Sequence, residues 1–140
     1  MKVGVIGAGV MGRGIAQVSA MAGHDVILFD INNDVLDSAR GGVSKNLKKA
    51  IQLGKLTEEG MVATESRMRY TSNISDVKVD LIIEAIVEKL DVKSKVLGDL
   101  AEINGESTIY ASNTSSIPLT QIASSSVSYT HLTLPTTPYV

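Results

Sequence analysis

The 140-residue sequence has no cysteine, no tryptophan and only two histidines. The lack of cysteine excludes disulfides, thiolate metal ligands and cysteine nucleophiles and is compatible with a reducing compartment, so the cytoplasm is the default location. No metal site is expected. Long apolar runs are also missing, because glycines interrupt the first apolar segment, and neither a transmembrane helix nor a signal peptide is predicted. The net charge is only -2 and the lysines are scattered, so nucleic-acid binding is not expected.

The first thirty residues carry the pattern of a β-α-β unit. The run "KVGVIGAG" predicts a strand that ends in a tight turn, and Met11, Ile15 and Val18 have the spacing of a helix. Gly23 is placed to end that helix. The nearly uninterrupted apolar run at 25–30 is typical of a parallel strand that is covered on both faces.

Further helices and strands alternate along the rest of the chain. A helix is predicted from Asn32 or Asn33 to Leu53, and the pair Gly41 and Gly42 inside it leaves room for a bend or a close approach. The other predicted elements are a helix capped by Thr57, a weak edge strand at 68–74, a strong strand at 79–86, a helix at 91–102, a strand at 107–112 and a short helical stretch at 119–123. This alternation predicts an α/β fold with a doubly wound parallel sheet, the Rossmann fold.

A glycine motif, "GAGVMG", lies between the first strand and the first helix. Gly7 suits the tight turn, Gly9 lets the backbone approach a pyrophosphate, and Gly12 lets the helix pack closely on the strand. Backbone amides and the helix N-terminus attract phosphate at such a turn. The motif therefore predicts a dinucleotide site, and its cofactor contacts are expected from Gly7, Ala8, Gly9, Val10, Met11 and Gly12.

An acidic residue accompanies the glycine motif. Asp30 ends the second strand 18 residues after Gly12, where a carboxylate accepts hydrogen bonds from the adenosine ribose. The same charge would repel a 2'-phosphate, and Arg40 lies nearly three turns into the next helix. The predicted cofactor is therefore NAD rather than NADP. The alternative is a glycine-rich turn that has a structural role and binds no ligand, which the strand-turn-helix context disfavours.

Three more stretches are distinctive: "GKLTEE", "DLIIEAIVEKLDVKSKV" and "TIYASNTSSIPLTQIA". With the glycine-turn segment they resemble the NAD-binding N-terminal domain of the 3-hydroxyacyl-CoA dehydrogenases, most of all the bacterial 3-hydroxybutyryl-CoA dehydrogenases. The resemblance implies an NAD-dependent oxidoreductase of fatty-acid or butanoate metabolism. Such an enzyme would act on an acyl-CoA substrate and interconvert the (S)-3-hydroxyacyl-CoA and the 3-oxoacyl-CoA.

The resemblance also implies roles for individual residues. Glu88 and Lys93 match family positions that contact the nicotinamide half of the cofactor, and Ser115 matches the serine that hydrogen-bonds the substrate's 3-oxygen near the nicotinamide. Asn46 falls near a position that touches CoA, which is a looser match. Without the resemblance, Glu88 would be interpreted as a solvated glutamate, Lys93 as a surface lysine and Ser115 as a turn serine that satisfies backbone groups.

The family uses a histidine oriented by a glutamate as the general base. His131 lies 16 residues after Ser115, but its neighbours do not match the family segment and no glutamate follows it. An imidazole without a carboxylate to fix its tautomer is a poor copy of that dyad, so His131 is not predicted to be the base. His24 is predicted to be a surface turn residue. We therefore expect the chain to be a fragment that lacks the dyad and is inactive as it stands.

The composition changes near the end of the chain, where no charged residue follows Glu106 and serine, threonine and proline dominate from Ser124. Residues 1–123 are predicted to form the NAD-binding domain and residues 124–140 a tail that is non-native or disordered, with a genuine divergent tail as the alternative. The sheet would then be incomplete at its C-terminal edge and lack a sixth strand. The helical second domain through which family members form homodimers would also be missing.

Two other functions remain open from the sequence. The 3-hydroxyacid dehydrogenases that resemble 6-phosphogluconate dehydrogenase share the glycine turn. Asp30, in place of a phosphate-binding arginine, and "SNTSS", in place of a glycine-rich catalytic loop, argue against that group. The other alternative is a non-catalytic NAD-binding module.

Overall fold

Helices alternate with parallel strands in the computed structural model, which describes residues 1–86, 90–105, 107–112 and 132–133. The elements are β1 (Lys2–Ile6), α1 (Val10–Met21), β2 (Asp25–Phe29), α2 (Asn33–Gln52), α3 (Glu58–Ser66), β3 (Met68–Thr71), a 3-10 helix (Ile74–Asp76), β4 (Leu81–Glu84), α4 (Leu90–Asn104), β5 (Ile109–Ser112) and β6 (Leu132–Thr133). The strands form one parallel sheet in the order β3-β2-β1-β4-β5-β6. The predicted doubly wound parallel sheet is thereby confirmed. Across the described ranges, no helix combines the length and the apolar character needed to span a bilayer.

The sheet separates two hydrophobic clusters, one on each face. Successive residues of a strand point to opposite faces, so Ile83 of β4 joins the cluster under α1 and α2, whereas Ile82 joins the cluster under α4. Leu97 and Leu100 of α4 are fully buried in the second cluster. Burial on both faces explains why the strand sequences are almost continuously apolar.

Helix α1 packs on the sheet through small residues. Its buried positions are Gly12, Ala16 and Ala20, which are spaced four apart. Met11 and Val18, whose spacing helps to predict the helix, are instead 58% and 67% exposed. The pattern predicts the helix correctly but does not predict which face is buried, because a close helix-sheet contact selects small side chains over large ones.

Helix α2 follows the prediction closely. The Asn32 side chain caps it by accepting hydrogen bonds from the backbone N–H groups of Asp34 at 2.9 Å and Val35 at 3.4 Å. The close approach expected at the glycine pair occurs at Gly42, where a Cβ atom would lie 2.5 Å from the Arg13 guanidinium of α1. Gly41, by contrast, faces open space.

Replacing Gly41 by alanine is expected to stabilise the protein by about 1 kcal/mol, because glycine inside a helix costs that much relative to alanine. Urea unfolding measures the change. Gly42→Ala is the comparison variant: its Cβ would meet the flexible end of the Arg13 side chain, which can move aside at little cost, so this substitution should stabilise the protein by slightly less. Equal stabilisation by both substitutions would show that the Arg13 side chain moves away from the added methyl group at no measurable cost.

Strand β4 is shorter than the predicted strand at 79–86. At its start, the backbone of Val79 bonds to side chains: its N–H donates to Asn104 Oδ1 and its carbonyl accepts from Thr108 Oγ1, both at 2.8 Å. After its end, the N–H of Ile86 donates to the Glu84 carboxylate at 2.6 Å. Side chains thus replace a neighbouring strand as hydrogen-bond partners at both ends.

The expectation that a sixth strand is missing is wrong in one respect. Leu132 and Thr133 pair in parallel with Tyr110 and Ala111 of β5. An unpaired strand edge offers backbone groups to any short extended segment, and a two-residue pairing needs no recognisable apolar pattern. Because β6 covers two of the four residues of β5, the edge remains incomplete. The boundary at residue 123 stays a prediction, and the helical stretch at 119–123 lies outside the described residues.

Candidate functional site

The glycine turn lies at the carboxyl end of β1, beside the carboxyl ends of β2 and β4. Gly7 has a positive φ of 105°, its N–H donates to Phe29 O at 2.8 Å, and a Cβ there would lie 2.6 Å from Ala85 O. Gly12 lies so close that a Cβ would be 1.6 Å from Gly7 O. The geometry therefore matches the tight turn expected at Gly7 and the close packing expected at Gly12.

The start of α1 is open to a ligand. Gly9 is its N-cap and has no side-chain cap, and a Cβ on Gly9 would meet nothing within 4 Å. Gly9, Val10 and Met11 are exposed. Exposed amides at a helix N-terminus, with the partial positive charge of the helix dipole, are suited to hold an anion such as a pyrophosphate.

Asp30 is held in a fixed orientation next to this turn. One carboxylate oxygen accepts a hydrogen bond from the Ala8 N–H at 2.9 Å, and the other accepts from the Asn32 N–H at 2.9 Å. The carboxylate therefore bridges the glycine turn and the start of α2. Each carboxylate oxygen has lone pairs beyond the one that is used, so Asp30 can also accept hydrogen bonds from a pair of vicinal hydroxyl groups.

A cavity of about 510 Å³ opens beside Asp30. It is bounded by the carboxyl ends of β1 and β2, the 3-10 helix and α4, and most of its wall is apolar. The apolar wall residues are Ile6, Phe29, Ile31, Ile74, Ile86 and Val96. A flat aromatic base beside a carboxylate that can bind ribose fits this combination of shape and chemistry.

No described arginine approaches the Asp30 carboxylate closely enough to pair with it. The Arg40 guanidinium lies over the Tyr70 ring, 4.5 Å from its centroid, between α2 and β3. Burial raises the pKa of the Tyr70 phenol and outweighs the opposite effect of Arg40. The Arg40 guanidinium is therefore engaged with an aromatic ring.

A second polar group lies at the same edge of the sheet, between β4, β5 and α4. Glu84, Lys93 and Ser112 are all fully buried. Lys93 Nζ lies 3.3 Å from Glu84 Oε1, and Ser112 Oγ donates to the same oxygen at 2.6 Å. The interpretation of Lys93 as a surface lysine is therefore wrong. Glu84 and Ser112 are not predicted from the sequence, although a glutamate at the end of an apolar strand is a visible signal of a buried polar group.

The remaining predicted residues lie apart or outside the described residues. Asn46 is exposed on α2, where its side chain donates to Gln17 at 3.4 Å. Asn46 lies about 20 Å along α2 from Asn33, the first residue of the helix, because an α-helix rises about 1.5 Å per residue. His24 lies between α1 and β2, at the amino ends of the strands and so away from the glycine turn as predicted, but it is half-buried instead of exposed. Glu88, Ser115 and His131 are not among the described residues.

Within the described ranges, no three His, Asp or Glu side chains converge where they could hold a metal ion. The groups that do converge are the glycine turn, Asp30 and the buried polar cluster. All three lie at the carboxyl ends of parallel strands, which is where ligands bind in open sheets of this type.

Known proteins share this architecture and sequence. Residues 2–133 match the family described as 3-hydroxyacyl-CoA dehydrogenase, NAD binding domain. A 3-hydroxybutyryl-CoA dehydrogenase from Clostridioides difficile is 43% identical over 126 residues, which are 89% of this chain and 45% of the relative. The corresponding enzyme from Bradyrhizobium diazoefficiens is 42% identical over 123 residues, 87% of this chain and 42% of the relative.

A solved structure agrees with these relatives. The crystal structure of a 3-hydroxybutyryl-CoA dehydrogenase from Escherichia coli superposes with a TM-score of 0.91 at 38% identity, and the match covers 94% of this chain and 28% of that one. The chain thus spans less than half the length of each of these three proteins.

Proposed function

Because the chain belongs to the family of NAD-binding domains of 3-hydroxyacyl-CoA dehydrogenases, we propose that it is the NAD-binding half of such an oxidoreductase. The reaction is the interconversion of an (S)-3-hydroxyacyl-CoA and a 3-oxoacyl-CoA, with 3-hydroxybutyryl-CoA and acetoacetyl-CoA as the preferred pair. The observation that carries the proposal is the Asp30 carboxylate, which Ala8 and Asn32 hold beside the open glycine turn.

The described residues fit NAD. The exposed amides at Gly9, Val10 and Met11 would hold the pyrophosphate, and Asp30 would accept hydrogen bonds from the hydroxyls of the adenosine ribose. The apolar cavity beside Asp30 would take the adenine. Bound NAD would supply the hydride acceptor of the reaction. The negative charge of Asp30 supports NAD over NADP.

The nicotinamide end of the site is proposed from the family positions. Glu88 and Lys93 would contact the nicotinamide half, and Ser115 would hydrogen-bond the substrate's 3-oxygen. A general base must also take the hydroxyl proton. The 140 residues span less than half the length of the relatives, and we propose that they supply the cofactor-binding part of the reaction site.

The acyl-CoA partner, the assembly and the location are also proposals. The relatives are named for CoA substrates, and Asn46 remains a weak candidate for a CoA contact. We propose a homodimer that forms through a helical second domain, and a cytoplasmic location.

Removing the Asp30 carboxylate is expected to change cofactor preference. The native chain should bind NADH more tightly than NADPH, and Asp30→Ala should weaken NADH binding about tenfold or more, because hydrogen bonds to a charged acceptor are among the stronger ones. The preference over NADPH should shrink at the same time, since the repulsion of the 2'-phosphate is lost. Fluorescence titration with both dinucleotides measures the effect.

Asp34→Ala is the matched control, because it removes another carboxylate from the first turn of α2. It should leave NADH affinity within about twofold of the native value, since charge alone acts weakly at an exposed position. An unchanged preference for NADH in Asp30→Ala would show that Asp30 is not the ribose ligand. Failure of the native chain to bind NADH would overturn the proposed function.

A further inference from the structure

The buried polar cluster of Glu84, Lys93 and Ser112 connects three segments of the chain. Glu84 ends β4, Ser112 ends β5, and Lys93 lies in the first turn of α4. One oxygen of Glu84 receives the Ser112 hydroxyl at 2.6 Å and lies 3.3 Å from Lys93 Nζ. The other oxygen accepts the N–H of Ile86, in the turn after β4, at 2.6 Å. A single carboxylate therefore holds two strand ends and a helix start together.

The same three segments carry the residues proposed for the nicotinamide end of the site. The turn that contains Ile86 leads to Glu88, and Ser112 lies three residues before Ser115. Lys93 is itself one of the proposed contacts. Glu84 thus bonds to Ile86, contacts Lys93 and accepts from Ser112, each of which lies on one of these segments, although the sequence predicts no ligand-binding role for Glu84.

The opposite end of the α4-sheet interface shows that a charged cluster is not needed to attach this helix. There, neutral side chains satisfy the backbone: Asn104 bonds to the N–H of Val79 and to the carbonyl of Val77, and Thr108 bonds to the carbonyl of Val79, all at 2.8 Å. A buried ion pair contributes little net stability compared with apolar packing. The charged cluster occurs only at the ligand-binding end of the described interface, which favours a functional reason for it.

We propose that Glu84 is a positioning residue for the nicotinamide half of the cofactor. It holds the Ile86 backbone after β4, the Lys93 ammonium and the Ser112 hydroxyl at the end of β5, so that this part of the site is ordered before the cofactor binds. Preorganisation of this kind raises affinity by removing the cost of ordering the groups on binding. The inference rests on the proposed function and adds a role for a residue that does not itself touch the cofactor.

The test compares NADH with ADP-ribose, which has the adenosine and pyrophosphate but no nicotinamide. The native 140-residue chain should bind NADH about tenfold more tightly than ADP-ribose. In Glu84→Gln, which keeps the shape but loses the charge and one acceptor oxygen, this advantage should fall to about twofold or less, while ADP-ribose affinity stays within about twofold of the native value. Isothermal titration gives both affinities, and the emission of bound NADH reports the nicotinamide environment independently.

Two milder variants keep the test decisive if Glu84→Gln does not fold. Ser112→Ala removes one buried hydroxyl from the carboxyl end of β5, and Thr108→Val removes one just before the amino end of the same strand. Ser112→Ala should reduce the NADH advantage about threefold, because it removes one hydrogen bond to Glu84. Thr108→Val also removes one hydrogen bond but does not touch Glu84, so the NADH advantage should stay unchanged.

The possible failures are distinguishable. If the native chain binds neither NADH nor ADP-ribose, the proposed function is overturned, and this inference with it. If it binds both equally, or if Glu84→Gln and Ser112→Ala keep the full NADH advantage, the positioning role of Glu84 is wrong while the proposed function stands. An equal loss of NADH and ADP-ribose affinity would show that the cluster has only a general structural role, which also overturns the inference.

Discussion

Gly12→Ala is expected to remove most of the NADH affinity and to lower the free energy of unfolding by about 3 kcal/mol or more. A Cβ at this position would lie 1.6 Å from the carbonyl oxygen of Gly7, whereas real Cβ contacts under 3.0 Å essentially never occur. The obstacle is backbone in the glycine turn, so no side chain can rotate out of the way. Helix α1 would have to move off the sheet, and the amides at its N-terminus would move with it.

Gly14→Ala is the matched control for this substitution. Gly14 lies two residues later in the same helix, and a Cβ there would meet nothing within 4 Å. It should stabilise the protein by about 1 kcal/mol, because only helix propensity changes. Urea unfolding and NADH titration of both variants provide the comparison. Native NADH affinity in Gly12→Ala would contradict the close packing of α1 on the turn.

The glycine turn and Asp30 are predictable from the sequence because their geometry is local. Gly7 and Gly12 are five residues apart and act within one strand-turn-helix unit, and Asp30 directly follows the next strand. Each of these residues is recognised by its type and its spacing along the chain. At α1 the spacing of apolar residues predicts the helix but not its buried face. That face consists of Gly12, Ala16 and Ala20 instead of larger apolar residues.

The buried polar cluster could not be predicted in the same way. Glu84 and Ser112 are directly opposite each other in the β4-β5 pairing, but they are 28 residues apart in the sequence. Their contact depends on the strand register, and a shift of one residue would send each side chain to the other face of the sheet. Helix α4 packs on one face of these strands, with Leu97 in the same cluster as Ile82 and Tyr110, and residue spacing along the chain does not specify the register beneath it. The short pairing of β6 depends on register for the same reason.

Lys93→Met is expected to lower the free energy of unfolding by about 3–5 kcal/mol, which is the usual cost of removing one partner from a buried ion pair. Glu84 is fully buried and would keep its carboxylate without the neighbouring ammonium group at 3.3 Å. Methionine has a similar length and packs well in apolar surroundings, so lost volume contributes little. Urea unfolding followed by circular dichroism measures the loss.

Two comparisons separate the charge effect from a general effect of substitution in α4. Lys95→Met removes an exposed lysine of the same helix that pairs with Asp99 at 3.5 Å, and it should cost about 0.5 kcal/mol or less, because exposed pairs contribute little. Adding Glu84→Gln to Lys93→Met should restore about half of the lost stability, since the buried carboxylate is then gone as well. A double variant that is less stable than Lys93→Met alone would mean that the hydrogen bonds of Glu84 to Ser112 and Ile86, rather than its charge, dominate its contribution to the fold.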